Sequence, residues 1–244
     1  MSERAAALTP ELAAITGDTS LESYFWNSGW FTANVQLVAD LKSEDAVIDI
    51  GCGSGRLAYG LYDWFGGRYV GVDIIPALID YCQRRFPRYE FLLLNPRSEL
   101  YNPEGSPDPA AARIPLPDGS FDLAVLLSVY THLLPGRFEL VTSEVSRLLK
   151  PDGRCLATFF ILDEMGARAA LAFRHEWASG CRTEKRESPE DAVAYRRAFI
   201  EDTFSAAGLT VARSYRGSWT GRGGLGFQDE ILFRKSVAAD GRQT

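Results

Sequence analysis

The chain has 244 residues, of which 46% are apolar and 24% charged, and its formal net charge at pH 7 is −6. This composition is that of an ordinary globular protein with a sizeable core, and the negative charge argues against DNA or RNA as a partner. Four cysteines without metal-ligand spacing, no signal-peptide core and no run of about 18 apolar residues predict a cytoplasmic protein without a metal site or a membrane partner.

Residues 1–42 are expected to form a helical segment in front of the main domain. The sequence Thr-Pro-Glu at 9–11 is typical of a helix start, and aromatic and apolar residues at helical spacing follow over 19–42. One interpretation of these residues is a helix packed on the edge of the sheet.

The most informative stretch of the sequence is 47–57. The apolar run Val47–Ile50 predicts a strand buried on both faces. Three glycines follow at alternate positions, and an amphipathic helix then begins. Glycine permits positive φ and lets a ligand approach the main chain closely, and the start of the helix presents free N–H groups. The stretch therefore predicts a cofactor-binding turn, whose expected contacts are Gly51, Cys52, Gly53 and Gly55.

The spacing of the glycines and the preceding acid indicate which cofactor is bound. The pattern G-x-G-x-G brings the third glycine one residue earlier than the dinucleotide fingerprint, and the Gly-Lys of a P-loop is absent. Asp49 is expected at the mouth of the turn, where its carboxylate would repel a diphosphate. The stretch resembles the first motif of class I S-adenosylmethionine-dependent methyltransferases, whose cofactor carries an ammonium and a sulfonium and no phosphate. An NAD-dependent oxidoreductase is the less favoured alternative.

The resemblance also gives a second interpretation of the N-terminal segment. In the resembled family, segments before the first strand often cover the site, which implies that residues 19–42 form a lid over the bound cofactor. Tyr24 is then expected as a cofactor contact and Trp30 as a substrate contact.

Further cofactor contacts are expected after the next two strands. The second strand, Tyr69–Asp73, ends in an acid, and a βαβ unit places this acid where it can accept both ribose hydroxyls. Ile74 is expected to pack on the adenine. The third strand, Tyr89–Leu94, is followed by Asn95, at a position where the resembled family often has an acid that contacts the adenine amino group. The resemblance implies that the Asn95 amide oxygen takes this role.

The fourth strand, Phe121–Leu127, leads into Ser128–Leu133, which resembles the corresponding segment of the same family. The resemblance implies that backbone groups of Ser128 and Val129 line the methionine part of the cofactor. His132 suits a general base because imidazole titrates near neutral pH. The alternative is a histidine that bonds to the backbone and holds this loop in shape.

Three segments are expected on the substrate side of the molecule. Residues 95–120 are rich in proline and lack apolar periodicity, which predicts a long surface loop. Residues 163–195 lack regular patterning and follow the fifth strand, and the connection at 215–224 follows the sixth. The substrate contacts expected in these segments are Tyr101, His175, Trp219 and Arg222.

The order of the elements predicts the fold. Strands alternate with helices through the fifth strand, 154–162, which predicts a parallel sheet with helices on both faces. The connection between the sixth strand, 209–214, and the seventh, 227–234, is too short for a crossover helix, so the seventh must be antiparallel. Together with a Leu-Leu-Lys-Pro-Asp-Gly-Arg motif at 148–154, this pattern resembles the class I methyltransferase fold, a doubly wound, mostly parallel seven-stranded α/β sheet with an antiparallel last strand. We expect a single domain over 43–236, with 95–120 and 163–195 as insertions, and a frayed tail over 237–244.

The resemblance implies an enzyme that transfers a methyl group by in-line displacement. The segment after the fourth strand lacks both the Asn/Asp-Pro-Pro-aromatic motif used on base amines and a cysteine for attack on cytosine. With the negative charge, this favours a small-molecule acceptor, methylated on a hydroxyl with His132 as the base. N- or C-methylation of a small molecule or a protein side chain is the alternative, and a non-catalytic cofactor-binding protein also stays open. The sequence does not distinguish a monomer from a homodimer.

Overall fold

The computed structural model describes residues 8–236, so the frayed tail expected over 237–244 lies outside the described residues. The helices of this part of the chain are α1 (Pro10–Ile15), α2 (Leu21–Val38), α3 (Arg56–Leu61), α4 (Pro76–Arg85), α5 (Pro135–Leu148) and α6 (Arg197–Ala206). Its strands are β1 (Val47–Ile50), β2 (Tyr69–Asp73), β3 (Glu90–Leu93), β4 (Phe121–Leu126), β5 (Leu149–Phe159), β6 (His175–Ala178), β7 (Cys181–Thr183), β8 (Val193–Tyr195), β9 (Leu209–Tyr215) and β10 (Asp229–Lys235).

The central sheet has seven strands in the order β3-β2-β1-β4-β5-β10-β9. β1 runs parallel to β2 and β4, whereas β10 is antiparallel to both β5 and β9. The predicted mostly parallel sheet with a reversed last strand is therefore confirmed. The strand order reverses between β1 and β4, since β2 and β3 lie on one side of β1 whereas β4 and β5 lie on the other. An open α/β sheet binds its ligands at such a switch point.

Helices cover both faces of this sheet. On one face, α5 and α6 pack through Phe138, Val145 and Phe204. On the other face, α2, α3 and α4 pack through Val35, Leu57 and other buried apolar residues. None of the helices within 8–236 combines the length and the apolar character needed to cross a membrane.

The segment 163–195 contains a second, three-stranded antiparallel sheet, in the order β6-β7-β8, where the sequence predicts no regular structure. Two of its strands are only three residues long, which is too short for a recognisable alternation of polar and apolar residues. The Tyr195 N–H donates a hydrogen bond of 2.9 Å to the Phe160 carbonyl, so this small sheet is attached to the end of β5.

β5 begins five residues earlier than expected. Leu149 pairs with Phe121, and Arg154 pairs with Leu123, with an irregularity between the two pairs. Asp152 has a positive φ of 64°. The Lys-Pro-Asp-Gly part of the motif at 148–154 is thus an interruption inside the strand rather than a connection before it.

Candidate functional site

A cavity of about 830 Å³ opens at the carboxyl ends of the parallel strands. Its walls combine the turns after β1, β2, β3 and β4 with the end of β5, one face of α2, and the segment that enters β10. These parts of the chain are distant in sequence, and they meet where the sheet order changes direction.

The glycine turn after β1 forms part of the floor of this cavity. Gly51 and Gly53 line it and have positive φ values of 76° and 55°. A Cβ on Gly51 would collide with the side chain of Val129, which also lines the cavity. Glycine is therefore required at Gly51 both by its backbone conformation and by the lack of space.

Gly55 and Cys52 lie outside the cavity lining, contrary to the sequence expectation. A Cβ on Gly55 would stand 2.6 Å from the ring of Phe86, so this glycine permits close packing behind the turn. Cys52 is buried, and its thiol lies on the side of Gly71 in the core. The turn therefore faces the cavity at Gly51 and Gly53 and the core at Cys52 and Gly55, which the glycine spacing alone does not reveal.

Asp73 lines the cavity at the end of β2, and three backbone N–H groups fix its carboxylate. Gly53 N–H donates to Oδ2 at 2.8 Å, while the N–H groups of Ile74 and Ile75 donate to Oδ1 at 2.7 and 3.0 Å. Burial raises the pKa of Asp73, and the N–H bonds oppose this rise. A carboxylate offers about four lone-pair sites, so capacity remains for hydroxyl donors from the cavity. The position fits a ribose, and Ile74 lines the wall beside it.

Asp49 is not at the mouth of the turn, so the prediction for this residue is wrong. It is 4% exposed, it lies outside the cavity lining, and its Oδ2 accepts a 2.5 Å hydrogen bond from the Tyr69 hydroxyl. Burial raises the pKa of Asp49 to about 7. The side chain lies beneath the turn because residues alternate in a strand, and its neighbours Ile48 and Ile50 take the opposite face. The acid that lines the cavity is Asp73.

Ser128 lines the cavity and has a positive φ of 63°, an uncommon value for a residue other than glycine. A closed set of hydrogen bonds supports it. Its N–H donates to Thr158 Oγ1 at 2.7 Å, Thr158 Oγ1 donates to Gln228 Oε1 at 2.6 Å, and Gln228 Nε2 donates to Ser128 Oγ at 2.7 Å. Thr158 and Gln228 are cavity residues that the sequence did not indicate.

His132 lines the cavity in a short 3₁₀ turn, Tyr130–His132. Its Nδ1 lies 2.8 Å from the Glu190 carbonyl oxygen, which can only accept, so Nδ1 carries the proton. The neutral ring then has a free lone pair on Nε2. Burial lowers the pKa of His132, which favours this neutral form. His132 therefore bonds to the backbone through Nδ1 and still has a nitrogen, Nε2, that can accept a proton.

Tyr101 also lines the cavity, with its hydroxyl 3.5 Å from His132 Nδ1. Burial raises the pKa of Tyr101 to about 12, so the hydroxyl stays protonated. The segments 95–120 and 163–195, both expected on the substrate side, thus contact His132 through Tyr101 and Glu190, respectively.

One face of α2 forms another wall of the cavity. Trp30 lines it as expected, together with Trp26, Phe31 and Asn34. Tyr24 does not reach it, since this side chain is 1% exposed and its hydroxyl donates to the carbonyl of Ser54 at 3.1 Å. Tyr24 therefore supports the glycine turn from below instead of contacting a ligand in the cavity.

Four other residues expected to contact ligands lie outside the cavity lining. Trp219 is 0% exposed, and its Nε1 donates to Asp229 Oδ2 at 2.7 Å. Asn95 Oδ1 accepts from Asn102 Nδ2 at 3.1 Å, within its own loop. Arg222 packs beside Gly166, and His175 lies on the edge strand β6. The connection before β10 instead contributes Leu225 to Gln228 and then Glu230.

Comparison with known proteins agrees with the fold. Residues 48–157 match the family model described as "Methyltransferase domain". In a crystal structure, the 1,6-didemethyltoxoflavin-N1-methyltransferase of Burkholderia thailandensis has bound 1,6-didemethyltoxoflavin and S-adenosylhomocysteine. It superposes with a TM-score of 0.55 at 20% identity, covering 94% of this chain and 91% of that one. At this identity the likeness concerns the fold.

Curated relatives match only part of their own length. A fatty-acid O-methyltransferase of Mycolicibacterium smegmatis is 35% identical over 123 residues, which are 49% of this chain and 38% of that protein. A tRNA N(3)-cytidine methyltransferase of Gallus gallus is 26% identical over 120 residues, 45% of this chain and 29% of that protein. The chain therefore spans less than half the length of either relative, and the two names differ in their acceptor.

Proposed function

Since residues 48–157 match the family model of the methyltransferase domain, we propose that the chain is a class I S-adenosylmethionine-dependent methyltransferase that methylates a small-molecule acceptor on a hydroxyl group. The observation that carries the proposal is a single cavity whose walls include both the Asp73 carboxylate and the His132 imidazole. When bound, S-adenosylmethionine supplies a methyl group activated by its sulfonium charge.

The residues at one end of this cavity suit cofactor binding. Asp73 offers a carboxylate to the ribose hydroxyls, Ile74 offers an apolar surface to the adenine, and the glycine turn allows close approach to the backbone. Ser128 and Val129 remain the proposed neighbours of the methionine part. In this arrangement the chain holds and orients the cofactor.

His132 is proposed to take the proton of the acceptor hydroxyl. Its Nδ1–H is held by the Glu190 carbonyl, so Nε2 has the lone pair and the ring has a fixed orientation. Positioned general bases typically contribute about 10²- to 10⁴-fold in rate. The charge that develops on His132 is close to the backbone and side chains of Glu190 and Asp191, which oppose the lowering of its pKa.

A small acceptor is favoured by the shape and composition of the walls. Aromatic and aliphatic side chains from α2, from the start of α5 and from the segment before β10 surround a limited number of polar groups, as in sites for small organic ligands. The tRNA methyltransferase relative makes RNA the other acceptor class to test.

The proposal predicts that Asp73→Ala loses most affinity for S-adenosylhomocysteine, whereas His132→Ala retains the affinity and turns over about 100-fold more slowly or worse. Calorimetry measures the affinity, and mass spectrometry with methyl-labelled cofactor identifies the acceptor in metabolite and tRNA pools. His175→Ala, outside the cavity, is the matched control and should change neither quantity. Normal turnover by His132→Ala would show that the base is assigned wrongly, and preferential binding of a nicotinamide dinucleotide would refute the proposed reaction.

A further inference from the structure

A buried carboxylate without a cationic partner among the described residues lines the cavity. Glu230, in β10, is 3% exposed. Its Oε2 accepts a 2.8 Å hydrogen bond from Asn34 Nδ2 on α2. The other charged group that affects its pKa is the like-charged Asp229, and no described lysine or arginine forms an ion pair with it. The carboxylate is thus held in place by a neutral amide alone.

The second oxygen of Glu230 accepts no hydrogen bond from the described residues, and an aromatic ring lies near it. Oε1 lies 2.9 Å from the point where a Cβ on Gly226 would stand, and the Trp30 ring lies 3.5 Å from that same point. Residue 226 is a glycine, and a side chain there would stand against both the carboxylate oxygen and the indole. Phe227, which follows Gly226 in the chain, and Trp26, which lies one helical turn before Trp30, also line the cavity.

The neighbouring acid Asp229 has a purely structural position. Its oxygens accept hydrogen bonds from the N–H groups of Gly217 and Ile161 and from Trp219 Nε1. Since side chains alternate along a strand, Asp229 and Glu230 face opposite sides of β10. Only Glu230 lines the cavity.

The other acids that line the cavity already have donors. Asp73 accepts three backbone N–H groups, Glu144 is paired with Arg147, and Glu190 accepts from the Ser98 hydroxyl. Arg56 also lines the cavity, and it forms an ion pair with Asp18, whose Oδ2 lies 3.5 Å from Arg56 Nη1. Glu230 therefore differs from Asp73, whose two oxygens both accept hydrogen bonds, and from Glu144, which has a cationic partner. It differs from Glu190 in burial, because Glu190 is only half-buried whereas Glu230 is 3% exposed.

Burying a carboxylate without a cation is costly. Burial raises the pKa of Glu230, and the Asn34 bond opposes this rise. A cationic ligand would supply the missing charge, and an indole next to a cation adds further attraction through its π face. The site has the two components of an ammonium-binding subsite, namely one carboxylate oxygen and one large aromatic ring.

We propose that the methyl acceptor carries a protonated amino group, which donates to Glu230 Oε1 and packs against Trp30. This inference rests on the proposed function, because it places a charged amine on the same small molecule that carries the reacting hydroxyl. The acceptor class would then be a hydroxyl-bearing amine with an apolar body that fits the aromatic walls.

The probes are tyramine and tyrosol, which have the same phenol and differ in an ammonium versus a hydroxyl at the end of the side chain. Calorimetry measures their binding to the protein saturated with S-adenosylhomocysteine. Tyramine is expected to bind at least tenfold more tightly than tyrosol. Glu230→Gln keeps the size of the side chain, and it should weaken tyramine about 10- to 100-fold while leaving tyrosol unchanged.

Two further variants test the same subsite. Trp30→Leu should weaken tyramine about 2- to 30-fold, and Gly226→Ala should weaken it because its methyl group would occupy the space in front of Oε1. Glu139→Gln is the matched control, since it removes the same charge from an exposed position of α5 and should change nothing. Circular dichroism and thermal unfolding verify that each variant is folded.

Tyramine that binds no more tightly than tyrosol, or not at all, would overturn the inference, as would unchanged tyramine binding by Glu230→Gln. If Glu230→Gln instead weakened the binding of S-adenosylmethionine but not that of S-adenosylhomocysteine, which lacks the sulfonium charge, Glu230 would serve the sulfonium. The inference would then be wrong while methyl transfer stood. Failure of the unmodified protein to bind S-adenosylhomocysteine would refute the proposed function itself.

Discussion

Asp49 and Asp73 illustrate how two similar acids on neighbouring strands acquire different roles. Asp49 points into the core and accepts from the Tyr69 hydroxyl, whereas Asp73 points into the cavity and accepts from three backbone N–H groups. Burial raises the pKa of both carboxyls. The difference lies in access, because only Asp73 can meet a ligand.

The raised pKa of Asp49 predicts a dependence of stability on pH. An unfolded aspartate releases its proton near pH 3.9, but the folded pKa of Asp49 is about 7. Between these values the folded state binds more protons than the unfolded state, so the free energy of unfolding falls as pH rises from about 4 to 7 and levels off above. The loss from this group is on the order of 3–4 kcal/mol.

Asp49→Asn should therefore flatten the decline of stability between pH 4.5 and 7.5, measured by urea unfolding of the cofactor-free protein. Asp202→Asn, an exposed position on α6, is the control and should keep the slope of the original protein. Equal slopes for Asp49→Asn and the original protein would contradict the assignment.

At the scale of elements, α2 joins a structural and a functional face in one helix. Ser28 donates from its hydroxyl to the Arg56 carbonyl on α3 at 2.6 Å, and Thr32 packs against Gly60. On the adjacent face, Trp30 and Asn34 line the cavity. The helix therefore packs on the domain and also lines the cavity, and its role as a lid over a bound cofactor stays a prediction.

Gly60 permits the close approach of α3 to α2. A Cβ there would collide with Thr32 Oγ1 and stand 3.1 Å from the Ser28 carbonyl oxygen. Gly60→Ala should lower the free energy of unfolding by about 1–3 kcal/mol, as overpacked contacts do, and weaken cofactor binding by displacing α2. Urea unfolding and calorimetry measure the two effects.

Gly29→Ala provides the matched control on α2. No atom lies within 4 Å of the Cβ that it would introduce, so only helix propensity changes, and the substitution should stabilise the protein by up to about 1 kcal/mol. A Gly60→Ala variant as stable as Gly29→Ala would show that the two helices can separate without cost.

At the scale of the whole molecule, the cavity depends on contacts between segments far apart in the chain. The residues after α1, the loop at 94–101, the Glu190 backbone and the segment 225–228 all line it. The Ser128, Thr158 and Gln228 network joins the ends of three such segments. A ligand that fills the cavity should therefore stabilise these segments together.

Saturating S-adenosylhomocysteine is expected to raise the melting temperature. At a concentration 100 times Kd, binding contributes about 2.7 kcal/mol, which corresponds to roughly 5–10 °C for a chain of this size. Hydrogen exchange should slow concurrently over 14–17, 94–101 and 225–228. Protection confined to the glycine turn would contradict a shared cavity, and adenosine alone should have a smaller effect on all segments.

Much of the central sheet was predictable because its strands are short apolar runs bounded by clear turn residues. Val47–Ile50 and Tyr69–Asp73 match their predicted bounds, and βαβ connectivity then places the ends of the two strands side by side. The three-residue strands of the small sheet were missed, since such short segments have no periodicity to detect.

The sequence alone determined the fold and the place of the glycine turn, because strand and helix periodicities and the glycine spacing are local properties of the chain. The tertiary structure decided which side chains face the cavity. Asp49, Tyr24 and Trp219 were expected there, but each is buried against a partner elsewhere. Glu230 and Gln228 had no local signal, yet they line the cavity. Which side of an element faces a ligand depends on packing between segments distant in sequence, and that information is absent from any single stretch of residues.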